Sequence, residues 1–65
     1  MKLTVNGELQ ETGCLTVNEL LASLGIDPRQ VAVELNLEIL PKDMYQTMNL
    51  NDGDRIEIVH FVGGG

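Results

Sequence analysis

The side chains best suited to chemistry in this chain stand alone. There is one cysteine, Cys14, and one histidine, His60. Neither has a second ligand at a useful spacing, so a metal site is not expected. Cys14 lies far in sequence from the other candidates and reads as a small buried or turn cysteine rather than a sulfur-bearing thiol. A lone cysteine also excludes an internal disulfide and fits a reducing compartment. His60 reads as a hydrogen-bonded structural histidine near a sheet edge. No acid, base and nucleophile come together, so a freestanding enzyme is not expected. What remains is the stretch Val59-His60-Phe61-Val62, which runs directly into Gly63-Gly64-Gly65. Three glycines have no side chains to pack and carry the highest ordering entropy of any residues. Extended, they reach about 10 Å and can thread a channel too narrow for other residues. At their end is a carboxylate with a pKa of about 3.3–3.7, ionised at neutral pH. Positioned by a partner that neutralises charge, such a group can attack the α-phosphate of ATP. The resulting acyl-adenylate is open to sulfur, and replacing one oxygen gives a thiocarboxylate, a softer and stronger nucleophile. The plainer alternative is a frayed end.

An end group of this kind needs a body to carry it. Met1–Asn6 alternates, with Leu3 and Val5 on one face, and reads as a half-buried strand. Asn6-Gly7 predicts a type I′ hairpin turn, and Glu8–Thr12 returns with Leu9 as its main apolar contribution. Thr16-Val17-Asn18-Glu19 is a capping box, with the Glu19 side chain expected to reach back to the Thr16 N–H and Leu15 placed as a hydrophobic staple. Val17, Leu20, Leu21 and Leu24 then form one apolar stripe on a short helix, with Gly25 at the left-handed stop and Pro28 beyond it. Val31–Leu35 alternates again, Glu38–Leu40 could return, and 41–45 reads as a turn or one loose helical turn. Asn51-Asp52-Gly53-Asp54 is a second strong turn before a last strand, Arg55–Val62. Ile56 and Ile58 face the helix, and His60 follows them inward by alternation. Val59 and Phe61 face the other way on a sheet side that no second helix covers. They either pack against neighbouring strands and the 41–50 segment or form a docking patch for a partner. The order predicts an α+β domain, a mixed four- to five-stranded sheet packed on one helix.

Size and charge limit the rest. With 65 residues there is one domain at most. It buries only about 60% of the surface its unfolded chain exposes, leaving little room for an enclosed pocket. The net charge is −6, from 4 Lys+Arg against 10 Asp+Glu. Nucleic acid is therefore not expected as a partner, whereas a basic protein face would be drawn in. No apolar run approaches the roughly 20 residues of a membrane span. The first residues are too polar for a signal peptide. The expectation is a cytoplasmic protein with no membrane partner.

The run Leu50-Asn51-Asp52-Gly53-Asp54-Arg55-Ile56-Glu57-Ile58-Val59-His60-Phe61-Val62-Gly63-Gly64-Gly65 resembles the end of ThiS, the sulfur-carrier family of thiamine biosynthesis. Val33-Glu34-Leu35-Asn36 and Asn6-Gly7 look like that family too, so the resemblance covers essentially the whole chain. It implies the ubiquitin-like β-grasp fold, with residues 1–62 as the domain and 63–65 as a flexible tail. It implies that Gly65 is adenylated by an E1-like enzyme (ThiF) and converted to a thiocarboxylate with sulfur from a donor system. The sulfur then passes to thiazole synthase (ThiG). On this reading Gly63 and Gly64 thread the partner's channel and Val59 and Phe61 help dock. No cofactor is bound by the chain itself, and ATP is used by the partner. Leu37 follows Asn36 where such proteins often carry glycine, so a tight I′ turn is not expected there. The alternatives are a carrier for molybdopterin or tRNA thiolation, which shares the terminal chemistry, and a β-grasp interaction module whose tail does no chemistry.

Overall fold

The structure, a computed structural model, describes residues 1–62. The first hairpin follows from its turn. Asn6 and Gly7 both take positive φ, 49° and 81°, the combination a two-residue I′ loop requires. This fixes β1 (Lys2–Val5) antiparallel to β2 (Glu8–Glu11), with Val5 opposite Glu8 and Thr4 opposite Leu9. Leu3 and Val5 enter the core as expected. Leu9 does not: its register sets it beside the outward-facing Thr4, and it stays 70% exposed.

The helix α1 spans Val17–Ser23 and is capped at both ends by local bonds. The Thr16 hydroxyl accepts the Glu19 N–H at 3.2 Å. The return arm lands one residue earlier than expected, because the Glu19 carboxylate accepts the N–H of Leu15 at 2.6 Å rather than that of Thr16. Leu15 is also tied at its carbonyl, which accepts from Leu50 N–H at 2.8 Å. Held this way its side chain is exposed, and no staple forms. At the other end Gly25 (φ 72°) donates to Ala22 and Ile26 donates to Leu21, a Schellman closure. Leu24 becomes the capping residue and is 39% exposed, so the buried stripe narrows to Val17, Leu20 and Leu21.

A 3₁₀ turn over Pro28–Gln30 leads into β3 (Val31–Leu35), which pairs with the short β4 (Glu38–Ile39). The link between them corrects one expectation. Asn36 and Leu37 both take positive φ, 52° and 71°, so the I′ turn forms although leucine occupies a position that favours glycine. Asn36 anchors that turn. Its N–H donates to the Arg55 carbonyl at 2.7 Å, and its side chain accepts from Arg55 N–H and donates to the Asp54 carboxylate. A second 3₁₀ turn, Lys42–Met44, opens a segment that sends Leu40, Tyr45 and Leu50 into the core.

The last strand, β5, runs Arg55–His60, two residues short of the expected end. It sits in the middle of a five-stranded sheet ordered β2-β1-β5-β3-β4, parallel to β1 and antiparallel to β3. The helix therefore connects strands that are not neighbours, and the parallel pair is made by the first and last strands. Beyond the end of β1, the Asn6 side chain takes over as a partner for β5. Its Oδ1 accepts Ile58 N–H at 2.6 Å and its Nδ2 donates to the Ile58 carbonyl at 3.3 Å. The core lies between one sheet face and α1, with Leu3, Leu20, Leu21, Val31, Val33 and Ile56 almost wholly enclosed. Truncating one of the buried leucines to alanine would cost about 2–5 kcal/mol. That is a large share of the roughly 5–15 kcal/mol such domains possess. The opposite sheet face carries no helix.

Candidate functional site

The alternation of β5 divides its side chains cleanly. Ile56 and Ile58 are buried, and Val59 and Phe61 are 56% and 55% exposed. Val59 lies opposite Ala32 on the helix-free face, where Glu57 opposite Glu34 and the exposed Leu9 and Ile39 of the edge strands also point. Arg55 stands 3.8 Å from Glu57, a loose exposed pair worth little on its own. His60 falls on the helix side by parity, opposite the buried Val31, yet it is exposed. Its side chain makes no hydrogen bond among the described residues.

Past His60 the chain is still held. The Phe61 N–H donates to the Gln30 carbonyl at 2.9 Å, extending the β3–β5 pattern by one bond. The Lys42 ammonium lies 5.2 Å from the centre of the Phe61 ring and 3.4 Å from the Arg29 carbonyl. The 3₁₀ turns thus bracket the exit of the central strand. A shallow open recess of about 370 Å³ lies beside them, lined by Asn18, Pro28, Arg29, Lys42, Asp43, Tyr45 and Gln46. It is an open surface depression. Next to it Asp27 grips Arg29 through side-chain bonds as short as 2.8 Å and accepts the Arg29 backbone N–H at 2.9 Å. These bonds hold the Asp27 carboxyl down to about 2 and push Arg29 above its ordinary value.

The other candidates stay apart. Cys14 is half-buried against the core in the β2–α1 connection, where its N–H donates to the Thr12 hydroxyl at 3.1 Å. Among the described residues no three potential ligands gather as a metal site would require, and no helix is long and apolar enough to cross a membrane. Gly63, Gly64 and Gly65, and with them the expectation of a flexible tail, lie outside the described residues. Lys42 and Gln30 at the root of that tail were not singled out in the sequence. They reach it through contacts between segments 19 to 31 positions apart, which leave no local pattern.

A mixed sheet in this strand order, closed over one helix and with its last strand at the centre, is a ubiquitin-like β-grasp domain. The sequence model of the ThiS family matches residues 3–65, and the chain belongs to that family. It is 50% identical over 56 residues to the sulfur carrier protein ThiS of Bacillus subtilis, covering 86% of this chain and 82% of that one. The crystal structure of the thiamine biosynthesis protein ThiS from Geobacter metallireducens superposes with a TM-score of 0.85 at 40% identity, over the full length of both chains. The chain is also 54% identical to a thiazole synthase of Paramagnetospirillum magneticum, over 100% of this chain and 20% of that protein. It spans the same 20% of a second thiazole synthase, from Magnetococcus marinus, at 42% identity.

Proposed function

We propose that the chain is a sulfur carrier for the thiazole of thiamine, acting in the cytoplasm, and that the carboxyl group of Gly65 is its working end. Membership of the ThiS family carries the reading. The triglycine that follows the central strand supports it, as do the thiazole synthases that contain a similar segment.

In this reading one carboxylate oxygen of Gly65 attacks the α-phosphorus of ATP within an E1-like adenylating enzyme (ThiF), and pyrophosphate leaves. Hydrosulfide released by a donor system then attacks the acyl carbon. The bond to AMP breaks, and a thiocarboxylate remains on Gly65. That sulfur goes to thiazole synthase (ThiG). The domain supplies neither ATP binding nor general acid–base groups. Its share is to present an end that bears no side chains and to dock through Val59 and Phe61. These are two exposed apolar residues on the strand that leads to that end. Gly63 and Gly64 thread the partner's channel because a Cβ at either would widen the thread.

The test is intact mass after incubation with the adenylating enzyme, ATP and a sulfur donor. The expected result is a gain equal to exchanging one oxygen for one sulfur, mapped to the peptide ending in Gly65. Deleting Gly65 should abolish the gain and leave the fold unchanged. No gain with an enzyme that modifies its own carrier would overturn the reading in favour of an interaction module. A thiocarboxylate that supplies molybdopterin or tRNA thiolation but not thiazole would reassign the pathway.

A further inference from the structure

Phe61 is about half exposed, and the Lys42 ammonium stands over its ring. Lys42 is one of only four Lys+Arg in a chain of net charge −6, yet it forms no salt bridge among the described residues. Its ammonium is placed by two neutral groups, the Phe61 ring at 5.2 Å and the Arg29 carbonyl at 3.4 Å. The ring is held in turn by the backbone bond from Phe61 N–H to Gln30. Lys42 and Gln30 sit on the two 3₁₀ turns, both anchored beside the core: Pro28–Gln30 leads directly into buried Val31, and Lys42–Met44 into buried Tyr45. The first residue after the central strand is therefore gripped from two sides.

We infer that Lys42 is a positioning residue: by its cation–π contact it latches Phe61, and so sets the direction in which the glycine tail leaves the domain before a partner takes it. The inference rests on the carrier reading above and adds a residue to it. A latch in the free chain lowers the ordering that binding must supply. It acts equally on the bound ground state and the transition state, so its loss raises KM and leaves kcat unchanged. An exposed cation–π contact corresponds to roughly a two- to fivefold change.

The experiment measures KM and kcat for adenylation of the wild-type chain, Lys42→Gln, Lys42→Arg, Phe61→Leu and the Lys42→Gln/Phe61→Leu double variant. Lys42→Gln should raise KM about two- to fivefold with kcat unchanged and the fold retained, the melting temperature falling by no more than a few degrees. Lys42→Arg, which keeps a cation over the ring, should restore KM. Phe61→Leu also loses a docking contact, so its coupling with Lys42 is what counts. In the Phe61→Leu background, removing Lys42 should have no further effect. A pure charge effect runs the other way, since one cation fewer strengthens attraction to a basic partner and lowers KM. An unchanged or lowered KM in Lys42→Gln, failure of arginine to rescue, or independent effects in the double variant would each overturn the latch. A second readout needs no enzyme: in the wild-type chain the Lys42 ε-methylene protons should be shifted upfield by the ring, and Phe61→Leu should abolish that shift. Absence of the shift overturns the latch even if the carrier reading stands. A wild-type chain that is never adenylated overturns the carrier reading, and the proton shift still decides the latch.

Discussion

Asn6 joins two tasks, and a set of substitutions separates them. Its backbone sits at φ 49° in the hairpin turn, and its side chain makes both contacts that Ile58 would otherwise receive from a longer β1. Asn6→Gly keeps the left-handed backbone and deletes both bonds. At about 0.5–1.5 kcal/mol net per bond the expected loss is roughly 1–3 kcal/mol. Asn6→Ala deletes the same bonds and also loses the short polar side chain that lets asparagine tolerate positive φ, so it should cost more than Asn6→Gly, by up to about 1–2 kcal/mol. Asn6→Asp keeps the acceptor for Ile58 N–H but turns the donor into an oxygen facing the Ile58 carbonyl. Repulsion there raises the new carboxyl's folded pKa above its unfolded value. The favourable form is thus fully present below the unfolded pKa and lost as pH rises, so this variant should regain stability relative to wild type on acidification. Urea unfolding at neutral pH should rank wild type above Asn6→Gly and Asn6→Gly above Asn6→Ala. Amide exchange at Ile58 should speed up in the last two. An Asn6→Gly protein within about 0.5 kcal/mol of wild type, the usual scatter of neutral surface changes, would refute the idea that the side chain completes the sheet.

Leu37 is 73% exposed at φ 71°, so Leu37→Gly gives up little burial and relieves a backbone cost of about 1–2 kcal/mol. The greater freedom of glycine in the unfolded chain takes back about 0.4–1 kcal/mol. The melting temperature should therefore rise by a few degrees, and a fall would show that the leucine side chain is worth more than its exposure suggests. The Asp27 carboxyl, read by carbon NMR, should titrate near 2 and return toward 3.8 in Arg29→Ala. Because its folded pKa is depressed, the stability it contributes is present above pH 3.8 and lost as pH falls toward 2. A wild-type midpoint near 3.8 would show that the ion pair does not persist in solution.

What the sequence made legible was what a few adjacent residues settle among themselves. The positive φ of Asn6-Gly7, the Thr16 cap and the Gly25 stop each depend on backbone bonds closing within about five positions, and each formed. The alternation through Ile56, Ile58 and Val59 likewise needed only the strand period. Leu9, Leu15 and Leu24 went wrong because hydrophobicity says nothing about which side a register or a distant bond will choose. Leu9 follows Thr4, Leu15 is held by Leu50, and Leu24 is consumed by the cap. Leu37 shows a local preference overridden from outside, by the bonds Asn36 makes to Asp54 and Arg55. For the candidate site, the glycines and the exposed Val59 and Phe61 could be found from residue type and spacing. Lys42 over Phe61 could not, since 19 positions separate them.

The parallel pairing of β1 with β5 has a mechanical consequence. The chain enters along β1 and leaves along β5 in the same direction, so tension between the two ends slides one strand against the other. The linking bonds run from Thr4 to Asp54, from Asn6 to Ile56 and from the Asn6 side chain to Ile58, with Gly53 to Lys2 beside them. Under such a pull they share the load and must give way nearly together, whereas in the β1–β2 hairpin a pull at the open end would part them one at a time. Traction applied between the first and last described residues thus meets the domain in its stiffest direction.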